Sequence, residues 1–152
     1  MREIKFRGKR LNNGEWAYGA FVPDELEQTH GKMVTWGFIR RYKPNRTVES
    51  VEMIEVDRNT VGQYTGLKDK NGTEIYEGDI VELTNTYKGM NTKSIVEIDF
   101  IDFTFAGKWA EEYSPSGYMY NPLGSYNFPI VTIEVIGNIY ENPELLEGLA
   151  NG

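Results

Sequence analysis

The densest run of chemically capable side chains lies between Leu67 and Leu83, where Asp69, Asn71, Glu74, Glu77, Asp79 and Glu82 crowd among apolar residues. Oxygen ligands so closely spaced raise calcium first. An EF-hand loop needs ligands at positions 1, 3 and 5, glycine at 6 and glutamate at 12. Counting from Asp69 puts Asn71 at position 3, but Thr73 falls at 5, Glu74 at 6 and Ile80 at 12. The glycine comes too early, so the spacing does not fit calcium. Glu77 and Asp79 raise a second chemistry, because paired carboxylates divide acid and base roles when their environments differ. They flank Gly78 ahead of a β-rich run. A turn feeding a strand has that form, and a structural role is expected.

A hairpin accounts for the rest of the run. A two-residue Asn71-Gly72 loop would set Asp69 against Glu74, an unfavourable like-charge pair. A type I turn over Asp69-Lys70-Asn71 with Gly72 left-handed gives a G1 bulge instead. That register pairs Lys68 with Glu74 and Leu67 with Ile75, and it is the one expected.

Other chemistry is sparse. His30 is the only histidine and stands in a loop between Thr29 and Gly31. A Ser-His-Asp triad would need it as base, but no Gly-x-Ser-x-Gly elbow supplies a nucleophile. Walker A and Gly-x-Gly-x-x-Gly motifs are missing. With no cysteine in the chain there are no disulfides, thiolate nucleophiles or Cys-based zinc sites. No metal site and no cofactor is expected.

Two segments have the residue types of binding surfaces. In Phe38–Arg46 four cations interleave with aromatics, and Arg40, Arg41, Tyr42, Lys43 and Arg46 are candidate contacts to a partner or to nucleic acid. Lys5, Arg7, Lys9 and Arg10 would widen that patch. The overall charge of −7 opposes a polyanion at long range. Residues 107–129 hold a second group, in which Trp109, Tyr113, Tyr118 and Tyr120 are candidate interface aromatics. The competing reading is a loop that packs its aromatics on its own domain.

The charge is also uneven. Residues 1–50 carry ten Lys/Arg and six Asp/Glu, whereas residues 51–152 carry six and seventeen. Such asymmetry points to a partner or to self-association. No apolar run reaches the roughly 18 residues of a membrane span. The N-terminus lacks the apolar core of a signal peptide. A cytoplasmic chain is expected, without a membrane partner.

Strands must position these groups. Alternation predicts a hairpin of residues 3–10 and 15–22 around Asn13-Gly14, a type I′ signal. Further strands are predicted over 33–42, 47–56, 80–86, 94–105 and 130–140. Within 94–105 the apolar phase flips after Phe100, which predicts a bulge or sharp bend. Residues 107–129 read as a long irregular loop. Asn142, Pro143 and Gly148 mark a short helical turn.

Three stretches are familiar together. Met1–Lys9 with Gly14–Gly19, then Val61–Gly72 with Ile75–Val81, then Val135–Leu146 resemble, in that order, the signatures of the YopX family of phage and prophage proteins. The resemblance implies a mostly β protein of phage origin acting in a bacterial host cell. It implies no reaction and no site residues. Residues 23–60 and 84–129 match no part of it.

The expected architecture is mainly β. A small SH3-like barrel forms within a core of residues 61–152. An N-terminal β portion, residues 1–60, serves oligomerisation or partner binding, and a short helical turn ends the chain. The expected function is a non-catalytic protein-interaction module, a homo-oligomer or a binder of a host or phage protein. The alternatives are a nucleic-acid-binding accessory protein using residues 38–46, and an enzyme of unknown type.

Overall fold

The structure, a computed structural model, describes residues 3–23, 36–41, 52–86, 89, 91–101, 103–108, 120–125 and 131–147. It divides into two units, Met1–Tyr64 and Thr65–Gly152. The described strands form antiparallel sheets, and one short helix follows.

In the first unit, β1 (Phe6–Lys9), β2 (Trp16–Pro23), β3 (Trp36–Arg41) and β4 (Glu52–Asp57) pair in the order β4-β3-β2-β1. The free edge of β1 pairs with Gly62 and Gln63, at the start of β5 (Gly62–Lys68). Alternation gives the sheet a dry face, where Ala17, Ile54 and Val56 are buried with Phe21 and Val61 packed against them. Gly8 belongs to this face because a Cβ there would stand 3.2 Å from both Val56 and Val61. A single 3-10 turn, Arg58–Thr60, leads from β4 to β5. The Asp57 carboxylate caps it by accepting the Asn59 N–H at 2.9 Å. The Thr60 hydroxyl fastens it by accepting the Lys9 N–H at 2.8 Å.

The β1–β2 hairpin is present, with a different turn from the one predicted. Lys9 pairs with Trp16, so residues 11–14 form a four-residue loop closed by Gly14 N–H on Arg10 C=O. A two-residue Asn13-Gly14 turn would have required Leu11 in the hairpin ladder. Leu11 N–H instead donates to Glu55 C=O, and Arg10 bridges Val56. The exposed edge of β4 therefore decides the loop, overriding the local signal. Gly14 supplies the left-handed residue that ends it, at φ +71°.

The second unit holds the end of β5, then β6 (Glu74–Tyr76), β7 (Asp79–Asn85), β8 (Thr92–Ile101), β9 (Thr104–Lys108), β10 (Tyr120–Pro122), β11 (Val131–Asn138) and α1 (Glu144–Glu147). Its five-stranded sheet runs β10-β9-β8-β7-β11. Ile75, Val81, Leu83, Val96, Ile98 and Ile133 are among the residues that form its core. Among the described residues no ladder joins β10 to β11, so this sheet is open and the expected SH3-like barrel is not formed by these strands.

Two predicted elements change character. The apparent strand 94–105 is two strands, because Phe100 pairs with Phe105 and Ile101 with Thr104. The phase flip marks a chain reversal, with no bulge needed. The expected irregular loop contains β10 and a 3-10 turn over Leu123–Ser125, through which Leu123 enters the core.

Candidate functional site

The carboxylate-rich run folds as the sequence predicts. Asp69 N–H donates to Thr73 C=O at 2.8 Å and Gly72 N–H to Asp69 C=O at 3.0 Å, with Gly72 at φ +85°. These bonds set Asp69 opposite Thr73, which carries Lys68 opposite Glu74. Asp69 is buried, and its Oδ1 accepts the N–H groups of Asn71 at 2.8 Å and Thr73 at 2.9 Å. Its Oδ2 reaches across to the Val135 N–H of β11 at 3.1 Å. Burial pushes this carboxyl up, but the backbone N–H bonds outweigh it and hold the group below its ordinary value. Lys70 N–H donates to Ile133 C=O at 3.0 Å, and Lys70 Nζ pairs with Glu134. That pair raises the Lys70 pKa and lowers that of Glu134. The tip of the hairpin is thus a clip on the edge of β11. Both Asp69 carboxylate oxygens accept backbone N–H groups.

Asp79 is equally internal, 1% exposed, and accepts the Tyr76 N–H at 2.7 Å. Gly78, at φ +82°, donates to Ile98 C=O and accepts from Ile139 N–H. The Glu77-Gly78-Asp79 run builds the turn between β6 and β7. Among the described residues no group of three His, Cys, Asp or Glu converges as a metal site.

Three features remain with the character of sites. The first is the β8–β9 tip. Phe103 is 97% exposed and takes φ +64°, the only non-glycine positive φ among the described residues. That conformation costs an L-residue roughly 1–2 kcal/mol. Phe100, 49% exposed, stands behind it with its ring 5.1 Å from that of buried Phe105. The core face therefore opens onto the tip. The second is a cleft of about 300 Å³. Leu67, Val131 and Ile133 give it apolar walls, and Lys68, Asp69, Lys70 and Thr132 complete its lining. The third is the face of the first unit opposite the dry one. Lys5 Nζ lies 4.8 Å from the Tyr64 ring centre, while Arg7 Cζ and Lys9 Nζ lie 4.5 and 5.2 Å from that of Trp16. Arg7 and Tyr64 are both buried, so this ladder is partly internal.

Comparison with known proteins then decides the family. The profile of the family described as "YopX protein" matches residues 5–147. The chain belongs to the YopX family. A curated YopX relative, the "SPbeta prophage-derived uncharacterized protein YopX" of Bacillus subtilis (strain 168), is 35% identical over 81 residues. That match takes in 51% of this chain and 54% of the relative, so the chain spans about half the length of the curated relative it matches. The crystal structure of protein yopX from Bacillus subtilis is similar over 97% of this chain and 98% of that one, at 19% identity and TM-score 0.53. A crystal structure of protein EF1440 from Enterococcus faecalis aligns over 96% of this chain and 99% of that one, at 28% identity and TM-score 0.48.

Within this YopX chain the central and closing family-like stretches are joined by hydrogen bonds. The central one supplies the β5–β6 hairpin and the Gly78 turn. The closing one supplies the second half of β11 and its C-terminal turn, where buried Asn138 accepts the N–H groups of Tyr140 at 3.1 Å and Glu141 at 3.0 Å. The two stretches meet at Asp69–Val135 and Gly78–Ile139.

Of the predicted contacts, Arg40 and Arg41 lie in β3, paired with Met53 and Glu52. Tyr42, Lys43, Arg46, Trp109, Tyr113, Tyr118 and His30 lie outside the described residues. Tyr120 opens β10 opposite Lys108 and is half-buried. Phe103 escaped the sequence reading, because an apolar residue between Asp102 and Thr104 looks like strand interior. The one available signal was the phase flip.

Among the described residues no helix is long and apolar enough to cross a membrane.

Proposed function

We propose that this protein is a non-catalytic protein-interaction module of phage or prophage origin, acting in the cytoplasm of a bacterial host, and that its contact is the β8–β9 tip. Phe103 carries the reading. A large aromatic side chain left in water gains nothing from burial, and the backbone conformation it occupies disfavours it. Strained residues of this kind cluster at functional sites. Exposed aromatic rings are the preferred anchors of protein interfaces, where they contribute area at little entropic cost. The prophage origin in the name of the Bacillus subtilis relative supports the setting. The test is a photo-crosslinking residue at position 103 of the full chain, expressed in a bacterial host. A discrete adduct with one protein or with a second copy is expected. No adduct, together with a monomer by light scattering and an empty pull-down, would remove the reading.

The cation–aromatic ladder of Lys5, Arg7, Lys9, Trp16 and Tyr64 favours a second reading, a nucleic-acid accessory role in which Arg40 and Arg41 of β3 are candidate contacts. It predicts salt-sensitive binding that is lost in Arg40→Glu/Arg41→Glu. A chain that binds no single-stranded probe at low salt ends this reading. The first is preferred because the rings of Trp16 and Tyr64 already hold cations.

A further inference from the structure

Independently of the β8–β9 tip, we infer that the outer edge of β11 docks an extended peptide segment of another protein, which adds to the sheet as a further strand and seats an apolar side chain in the cleft beside Leu67.

β11 ends the five-stranded sheet and has β7 on one side only. Its register with β7 is unbroken from Val131 to Val135. In an antiparallel ladder, alternate residues turn their N–H and C=O groups to the same side. Ile133 C=O accepts the Lys70 N–H and Val135 N–H donates to Asp69, so both residues turn away from β7. Val131, two residues before Ile133, turns the same way. The hairpin tip thus takes one acceptor at Ile133 and one donor at Val135. Among the described residues no backbone bond reaches Val131 N–H, Val131 C=O or Ile133 N–H. Val131 and Ile133 are only 8% and 5% exposed, so little water reaches them. Backbone groups so shielded are nearly always paired. A donor, an acceptor and a donor in sequence along one edge are what the main chain of an added strand satisfies.

The cleft lies against this stretch of edge. At about 300 Å³ it is at the small end of ligand pockets, so it admits a side chain of a short segment and no folded domain. Leu67, Val131 and Ile133 select an apolar side chain. The charged groups beside it are engaged elsewhere. Asp69 accepts three backbone N–H groups, Lys70 Nζ is paired with Glu134, and Lys68 stands opposite Glu74. Recognition therefore falls to the main chain and one apolar side chain.

The hairpin tip also excludes the β11 edge of a second copy as the occupant. Antiparallel pairing of the two open stretches would set Val131 of each copy against Ile133 of the other. Lys70, bonded to Ile133 C=O at the edge, would then stand where the other copy's strand must run. A peptide segment brings no such tip and stops at Lys70. The site is remote from Phe103. Val131 pairs with Asn85 and Asn85 with Thr92, which starts β8, whereas Ile101 ends it. A ten-residue strand separates those ends by roughly 30 Å.

The test screens the full chain against a displayed library of random short peptides. Enrichment of sequences with alternating apolar residues is expected, and a synthetic peptide of the enriched sequence should bind with a Kd of about 1 μM. Bound peptide should slow hydrogen exchange about tenfold or more at the Val131 and Ile133 N–H groups, and leave Thr132 and Glu134, which face β7, unchanged. Val131→Pro removes one open donor at the first residue of the strand, where proline is tolerated. Leu67→Ser removes an apolar wall at an exposed position. Each should weaken the peptide about tenfold or more, with native melting curves excluding misfolding as the cause. No enrichment, a peptide that binds both variants undiminished, or unchanged exchange at Val131 and Ile133 would each overturn the inference. Slowing of the same two amides by rising protein concentration without peptide would assign the edge to self-association and overturn it as well. Phe103→Gly should leave peptide binding intact; loss of binding there would move the site to the tip. Failure at the edge leaves the tip reading standing, since crosslinking from position 103 tests that separately.

Discussion

Asp69→Ala should be the most damaging single change in the β5–β6 hairpin. The carboxylate accepts three backbone N–H groups, two inside its own turn and one from β11. Charge-assisted bonds of this kind contribute about 1.5–3 kcal/mol each. Asn71 and Thr73 are exposed, so water replaces much of what their N–H groups lose. The Val135 N–H is half-buried and gains less from water. A net loss of about 2–4 kcal/mol follows. With an m-value of about 2 kcal/mol/M, the urea midpoint falls by about 1–2 M. The pH dependence gives a second readout. The folded Asp69 carboxyl titrates below its ordinary 3.8. Its contribution is therefore complete above the unfolded value and is lost as pH falls through the folded one. The gap between the unaltered chain and Asp69→Ala should stay constant from about pH 5 to 8 and narrow below about pH 4. Unchanged midpoints, or a gap that persists undiminished at pH 2, would refute the role given to this side chain.

Two further substitutions probe other joints. Glu97 is partly buried, and burial raises its pKa, with Asp99 adding to the rise and Lys108 opposing it. Its charged form is therefore disfavoured on folding, so the stability of Glu97→Gln relative to the unaltered chain should improve as pH rises from about 4 to 7; thermal melts across that range check the sign. At Gly137 a Cβ would stand 2.7 Å from Asn142 Oδ1 and 2.8 Å from Leu145 Cδ1. Gly137→Ala should displace the C-terminal turn, costing about 1–3 kcal/mol, with faster hydrogen exchange at Tyr140 and Glu141.

What the sequence revealed depended on how local the deciding interaction was. Asp69, Gly72 and the charges of Lys68 and Glu74 fix their hairpin among themselves, and that register was readable. The Asn13-Gly14 turn was misread because its competitor, the edge of β4, lies more than forty residues away at Glu55. The barrel was expected because strand count is local information, whereas closure requires a ladder between β10 and β11. The clip of Asp69 on Val135 spans 66 residues and leaves no local trace. Phe103 was hidden for a different reason. It defies the turn preference for Gly, Asn or Asp at positive φ, so a reading based on propensity passes over it.

Phe103→Gly tests the central claim most directly, with stability and association measured on the same preparation. Glycine adopts positive φ without steric strain, so relief of that strain, less glycine's entropic cost, should leave the variant more stable by about 1 kcal/mol. If Phe103 is retained for binding, the same variant should lose crosslinking and association at the tip. A variant that is destabilised, or that binds and associates as the unaltered chain does, would contradict the account.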